Sequence, residues 1–447
     1  MTEISDAADR LSNDKYRYLV GSRASPCNPS AQPSDEVTYW KGGRSYRLGR
    51  RHLLIRIPTM THRTAATAMG SVLILAASVI VDSHSALASP PVGAKPPAVI
   101  ALGDSYISGE AGRWQGNAIA PLPGSRKGTD RAAYLCGPRE RLCSHNPQRV
   151  YGTSYANGCD RSNGAEITYV YQVQVGDQSY DIAQDDRINV ACSGATTESI
   201  YKVPFKGEPI QVDQLAQYAQ SKDIKLVVLS IGGNDLNVGG VIRSCIKAFL
   251  SSGVHCHISE APLLPQLLVK MQDGVTRALQ SIRTTMTNAG YRDSDYRLVL
   301  QSYPSPVPPA ANNRYPENVR IRLQVGGCPL FNDDSDWAYG TAIRAISDAL
   351  RQVATTVGGV DFLDLYHALD GHEVCAKGVG QSTDGDSLDA PRSKSDSEWV
   401  RWISLHTQDG RVNEAAHPNA YGQQQLGGCL QSAVMVTQQS FECNASG

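Results

Sequence analysis

The sequence predicts a three-layer α/β/α protein of the flavodoxin-like type, built on a central parallel sheet of about five strands. Three observations predict it. Apolar runs of strand length recur at residues 98–102, 187–191, 225–231, 297–302 and 360–365. Stretches with helical spacing lie between and after them, at 208–220, 263–288, 335–356 and 421–438. The first three runs each stop at a short polar turn, and open α/β sheets hold their ligands beyond the carboxyl ends of the strands.

Taken in order, the first run is apolar throughout and ends in Gly103-Asp104-Ser105. It reads as a buried strand that presents Ser105 at its end, which makes Ser105 the candidate nucleophile. The second run leads into Cys192-Ser193-Gly194-Ala195 and the third into Gly232-Gly233-Asn234-Asp235. The helix over 263–288 is entered through prolines, and the one over 335–356 is expected to take Asp336 as its N-cap. Just ahead of the last helix stands Glu414-Ala415-Ala416-His417-Pro418-Asn419. Segments 113–180, 304–334 and 371–401 read as loops that shape the rim of the site. Gly385-Asp386-Ser387 repeats the serine tripeptide with no apolar strand ahead of it and reads as a surface loop. Asp333-Asp334-Ser335-Asp336 lacks the spacing of a calcium loop and reads as a helix entrance.

A serine hydroxyl attacks a carbonyl only when a base takes its proton and donors receive the oxyanion. The four stretches that carry Ser105, Gly194, Asn234 and His417, in this order, resemble the four sequence blocks of the SGNH hydrolases, the GDSL esterase and lipase family, in its exported bacterial form. The resemblance runs from about residue 97 to about residue 425. It implies that Ser105 is the nucleophile and His417 the general base. It also implies an oxyanion hole made by the backbone N–H groups of Ser105 and Gly194 and the side-chain amide of Asn234. In many relatives an aspartate three residues before the histidine orients the ring; here that position is Glu414, with a backbone carbonyl at that same position as the alternative. Asp409 is a more distant substitute, and Asp104 is expected to hold its turn without moving a proton.

The implied activity is hydrolysis of a small-molecule or lipid carboxylic ester through an acyl-enzyme. Removal of acetyl groups from a polysaccharide is the nearest alternative, and a non-catalytic binding protein on the same fold is the other. No metal, organic cofactor or obligate protein partner is implied, while transient contact with lipid surfaces suits a lipase.

Lys and Arg number 42 against 43 Asp and Glu, a formal net charge of −1, which argues against a general nucleic-acid binder. The charge is uneven, because Lys41, Arg44, Arg47, Arg50, Arg51, Arg56 and Arg63 come with no acidic residue between Val37 and Val81. This basic stretch runs into an apolar one at 65–81, followed by Ser85-Ala86-Leu87-Ala88. The pattern predicts a signal peptide over 60–88, cut after Ala88, and hence a secreted protein. Anchorage in a membrane by the 65–81 run is the alternative. Residues 1–59 are expected to be disordered or falsely translated, with Met60 the more natural start, and 89–97 reads as a linker to a hydrolase domain at 98–447.

Eleven cysteines are present, and cleavage after Ala88 removes only Cys27. The remaining ten suit disulfides in an oxidising space. Pairing near neighbours is the simplest connectivity: 136–143, 159–192, 245–256, 328–375 and 429–443. The one cluster with metal-ligand character is His255-Cys256-His257 with Cys245, and export favours the disulfide there.

Overall fold

Alternate residues of the strand Pro97–Gly103, β1, pack on opposite sides: Ala98, Ile100 and Leu102 face one hydrophobic cluster, Val99 and Ala101 the other. A strand buried on both faces belongs at the centre of a sheet covered on both sides. That is its place in the structure, a computed structural model that describes residues 39–41, 44–46, 95–119, 127–136, 143–251, 253–403 and 411–445. The chain divides into two units, Met1–Ala86 and Leu87–Gly447. In the first, Tyr39–Lys41 pairs antiparallel with Arg44–Tyr46. The expected signal peptide at 60–88, with its apolar run, lies outside the described residues, as does most of the linker. Among the described residues no helix is long and apolar enough to cross a membrane.

In the second unit β1 is joined by β2 (Arg187–Asn189), β3 (Asp223–Ser230), β4 (Arg297–Gln301), β5 (Asp361–His367) and β6 (Ser440–Asn444). All pair in parallel, in the spatial order β6-β5-β4-β3-β1-β2. The first five carry the flavodoxin-like order. The sixth exceeds the expected five. Its sequence, Ser-Phe-Glu-Cys-Asn, alternates exposed and more protected positions as an edge strand does, and offers no apolar run to a sequence search.

The helices that matter for the site are α1 (Ser105–Ser108), α2 (Thr197–Tyr201), α3 (Gln211–Ser221), α4 (Val238–Leu250), α5 (Cys256–Glu260), α6 (Leu264–Asn288), α7 (Arg344–Val357) and α8 (Ala420–Val434). One face of the sheet is covered by α3, α6 and α7 through Val212 and Leu215, Val275 and Leu279, and Leu350 and Val353. The other is covered by α8 through Leu426, Leu430 and Val434, together with Ile167 and Val173. Burying each such side chain contributes roughly 1.5–3 kcal/mol, so the sandwich is a stiff platform for what stands on its rim.

Two expected helix limits change. Helical structure begins at Asn332–Trp337, widens into a π-turn over Ala338–Ile343 and continues as α7. Asp336 therefore lies inside the first segment, and its carboxylate accepts the Ala310 N–H at 2.7 Å instead of capping a helix. The last helix ends at Val434 instead of 438 because the chain then turns into β6, which the Cys429–Cys443 disulfide fastens back to α8. Of the other expected pairs, Cys159–Cys192, Cys245–Cys256 and Cys328–Cys375 are formed. Cys143 is disulfide-bonded, while the side chain of Cys136 is outside the described ones.

Candidate active site

At the end of β1 the chain must leave the sheet abruptly, and Gly103 is what lets it. Its φ is +144°, and a Cβ there would lie 2.0 Å from the Ser230 carbonyl oxygen, so no other residue fits. Gln211 on α3 clamps this glycine from both sides, accepting its N–H at 2.7 Å and donating to its carbonyl at 2.8 Å. Asp104 then caps α1, accepting the Tyr106 N–H at 3.1 Å, and also accepts the Tyr303 hydroxyl at 2.5 Å. Burial pushes its carboxyl up to about 7 against the pull of these bonds. Ser105 emerges as the first residue of α1, only 7% exposed.

Three further loops meet it. After β2, Cys192 donates its N–H to Gly103 O at 3.0 Å, and the disulfide from Cys192 to Cys159 ties the loop to a neighbouring turn. Lys206 reaches in to bond the Ser193 carbonyl at 2.6 Å. Gly194, held at φ +83°, follows directly. After β3, Asp235 accepts the backbone N–H and the hydroxyl of Thr197 at the start of α2, at 3.0 and 2.6 Å. Asn234 beside it donates one amide hydrogen to Ala195 O at 2.8 Å, which leaves the second for the pocket that Asn234 lines. Among the described residues the backbone N–H groups of Ser105 and Gly194 have no acceptor.

The fourth loop precedes α8, whose first turn Asn419 caps by accepting the N–H groups of Tyr421 and Gly422. The Arg401 backbone holds the loop, its carbonyl accepting the Ala416 N–H and its N–H donating to the His417 carbonyl, both at 2.8 Å. Tyr106 donates its hydroxyl to Ala416 O at 2.9 Å, and Ala416 adopts φ +61° to allow the turn. These contacts bring His417 Nε2 to 2.7 Å from Ser105 Oγ. Its Nδ1 lies 2.9 Å from Ala415 O, an acceptor only, so Nδ1 carries the hydrogen and Nε2 has its lone pair toward the serine. Burial lowers the ring to about 4, against the upward pull of the Ala415 carbonyl, so it is a neutral base at ordinary pH.

Four of the five sequence-derived site residues, Ser105, Gly194, Asn234 and His417, thus line one cavity of about 320 Å³. Glu414 does not reach the ring. Its buried carboxylate accepts the Trp114 indole N–H at 2.8 Å, the Tyr151 hydroxyl at 2.7 Å and the Arg411 N–H at 3.1 Å. Trp114 and Tyr151 come from the long segment read only as rim, and they anchor the histidine loop through Glu414.

The cavity walls hold residues the sequence reading passed over. Val238, Ile242 and Ile246 of α4 line it together with Ile343 and Ile346. The apolar spacing of Val241, Ile242, Cys245, Ile246 and Phe249 is a helical signal that was there to be found. Tyr303, Tyr106 and Glu110 also line the cavity, the first just past β4, another strand end of the kind that carries chemistry. At the suspected metal cluster, Cys245 and Cys256 are joined as a disulfide, and Asp334 accepts the N–H groups of Cys256 and His257 and meets His257 Nδ1 at 2.7 Å. No thiolate is left there for an ion.

The model of the GDSL-like Lipase/Acylhydrolase family matches residues 150–425, a span that takes in the loops of Gly194, Asn234 and His417 and begins after Ser105. Among solved structures, the chain is similar to the extracellular lipase from Streptomyces rimosus at 19% identity and a TM-score of 0.41, over 76% of this chain and 99% of that one. Phospholipase A1 from Streptomyces albidoflavus NA297 aligns at 18% identity and a TM-score of 0.41, over 76% and 99%. The carbohydrate acetylesterase Est24 from Sinorhizobium meliloti aligns at 12% identity and a TM-score of 0.31, over 76% and 99%. No curated protein matches the chain. With the family's model spanning more than half of its residues, this chain belongs to the GDSL-like lipase/acylhydrolase family.

Proposed function

We propose that this protein is a serine esterase or lipase that hydrolyses carboxylic esters through an acyl-enzyme. The observation that carries the reading is the 2.7 Å contact between Ser105 Oγ and His417 Nε2 beside an apolar cavity. His417 takes the hydroxyl proton as Ser105 Oγ bonds to the ester carbonyl carbon. The Ser105 and Gly194 backbone N–H groups and the free amide hydrogen of Asn234 receive the oxyanion. The histidine then gives its proton to the leaving alcohol, and water, activated by the same nitrogen, releases the acid. The isoleucine-lined walls favour an acyl chain longer than acetyl, which sets the reading apart from an acetylesterase. The disulfides, with the basic and apolar sequence ahead of the domain, support secretion as its destination.

The test is hydrolysis of p-nitrophenyl esters from acetate to palmitate by the oxidised protein and by Ser105→Ala. Turnover that vanishes in the variant, with an optimum beyond acetate, is expected. Equal rates from the two proteins would remove Ser105 from the mechanism.

A further inference from the structure

Glu110 is a buried acid that the scheme above does not use. Gly109, left-handed at φ +84°, ends α1, and the Glu110 N–H then returns to Ser105 O at 3.2 Å. This tight turn sends the Glu110 side chain back toward the cavity it lines with the serine. Its side chain is 2% exposed, Oε2 lies 3.5 Å from His417 Nε2, and Oε1 has no hydrogen-bond partner among the described residues. Buried polar atoms are nearly always satisfied, so an orphaned carboxyl oxygen beside a base calls for an explanation.

The need it meets is visible in the same loop. When Ser105 attacks, its proton passes to Nε2, the Oγ–C bond forms, the carbonyl pair moves to oxygen and the ring becomes a cation. At Nδ1 that cation finds the dipole of a carbonyl, Ala415 O, where a triad would offer a full negative charge. We propose that Glu110 is a positioning residue for this hydrolysis, its carboxylate holding the His417 imidazolium from the Nε2 side until the proton passes to the leaving alcohol. The inference rests on the Ser105–His417 reading. Glu110 exchanges no proton in the step, so the atoms balance without it.

The charge must be present to act, and its surroundings set when. Facing Glu110 are His417, the Ser193 side chain, Lys206 from the stretch after α2, Asp160 with its partner Arg411, and Glu414. Burial pushes the carboxyl up to about 8, Asp160 and Glu414 add to that, and Ser193 and Lys206 oppose it. Turnover should therefore rise in two stages: once as His417 loses its proton in acid, again as Glu110 ionises near neutral to alkaline pH.

The experiment compares pH profiles of kcat/KM on a p-nitrophenyl ester for the wild type, Glu110→Gln and Glu110→Asp, with organophosphonate labelling of Ser105 alongside. Glu110→Gln is expected to lose the alkaline rise and roughly tenfold in rate above it, the effect of about one pKa unit on the imidazolium. Glu110→Asp keeps a carboxyl and should keep a rise, which a purely structural role would not require. A wild type that hydrolyses and labels while Glu110→Gln, or Glu110→Asp if the amide does not fold, departs from this pattern overturns this inference alone. A wild type that does neither overturns it together with the reading of Ser105.

Discussion

The carbonyl oxygen of Ala415 accepts the Nδ1 hydrogen of His417 at 2.9 Å, two residues away in the same loop. The ring is oriented by backbone, so the carboxylate three residues before it has other work. Glu414→Gln should slow hydrolysis by less than about tenfold, far from the roughly 10⁴-fold loss when a triad carboxylate is replaced. It should instead lower stability by about 1–3 kcal/mol, because the Trp114 and Tyr151 donors lose a charged acceptor. Kinetics and thermal melting on the same sample separate the two; a collapse of kcat at unchanged Tm would restore Glu414 to the triad.

Asn234→Ala removes the one side-chain donor from the proposed oxyanion hole. The expected loss is about 10²–10³ in kcat with KM nearly constant, since the amide acts on charge that develops in the transition state. A rise in KM at constant kcat would make Asn234 a substrate-binding residue, and its bond to Ala195 O a purely structural one.

Ile242 of α4 lines the cavity together with Ile343 and Ile346. Filling that space with Ile242→Trp should move the ester-length optimum toward shorter chains. Discrimination against the longest esters relative to acetate should change by roughly 10–200-fold, the worth of a methylene-sized misfit in an apolar pocket. An optimum that stays put would place the acyl chain elsewhere.

Glu166 is buried beneath α8, accepting the Gln301 amide at 2.9 Å, and burial pushes its carboxyl up to about 8. An acid whose folded pKa is raised stabilises the fold fully below its unfolded pKa and loses that contribution as pH rises through the folded one. One such group contributes at most about 1.4 kcal/mol per pH unit between those values. Melting curves from pH 5 to pH 8 should fall less steeply for Glu166→Gln than for the wild type; parallel slopes would show that Glu166 is ionised throughout.

What the sequence made legible was whatever depends on residue type at a strand end. Gly103, Ser105, Gly194 and Asn234 are residue types suited to the places they take, an apolar strand or a tight turn precedes each, and the structure brings the last three to one cavity. A backbone carbonyl stood as the alternative to the Glu414 side chain, but nothing in the sequence singles out Ala415, because any residue there supplies the same carbonyl. Glu414 drew attention by its spacing, yet its partners Trp114 and Tyr151 stand 300 and 263 residues upstream and no local pattern links them. Glu110 was in plain view next to the first block. Its meaning depends on the orphaned oxygen and the 3.5 Å approach to the ring, both products of tertiary structure. The sixth strand was hidden for a simpler reason, since an edge strand buries too little to need an apolar run.

Ser105 and His417 are 312 residues apart in the chain, yet Oγ and Nε2 meet at 2.7 Å. Synthesis runs from the serine toward the histidine, so a growing chain carries an inert hydroxyl for most of its time on the ribosome. On the proposed mechanism, reactivity arrives only when the closing helix docks with Asn419 at its head. If Ser105 and His417 work as proposed, the segment from His417 through α8 is a built-in arming step, because it brings the base and also covers one face of the sheet that presents the serine.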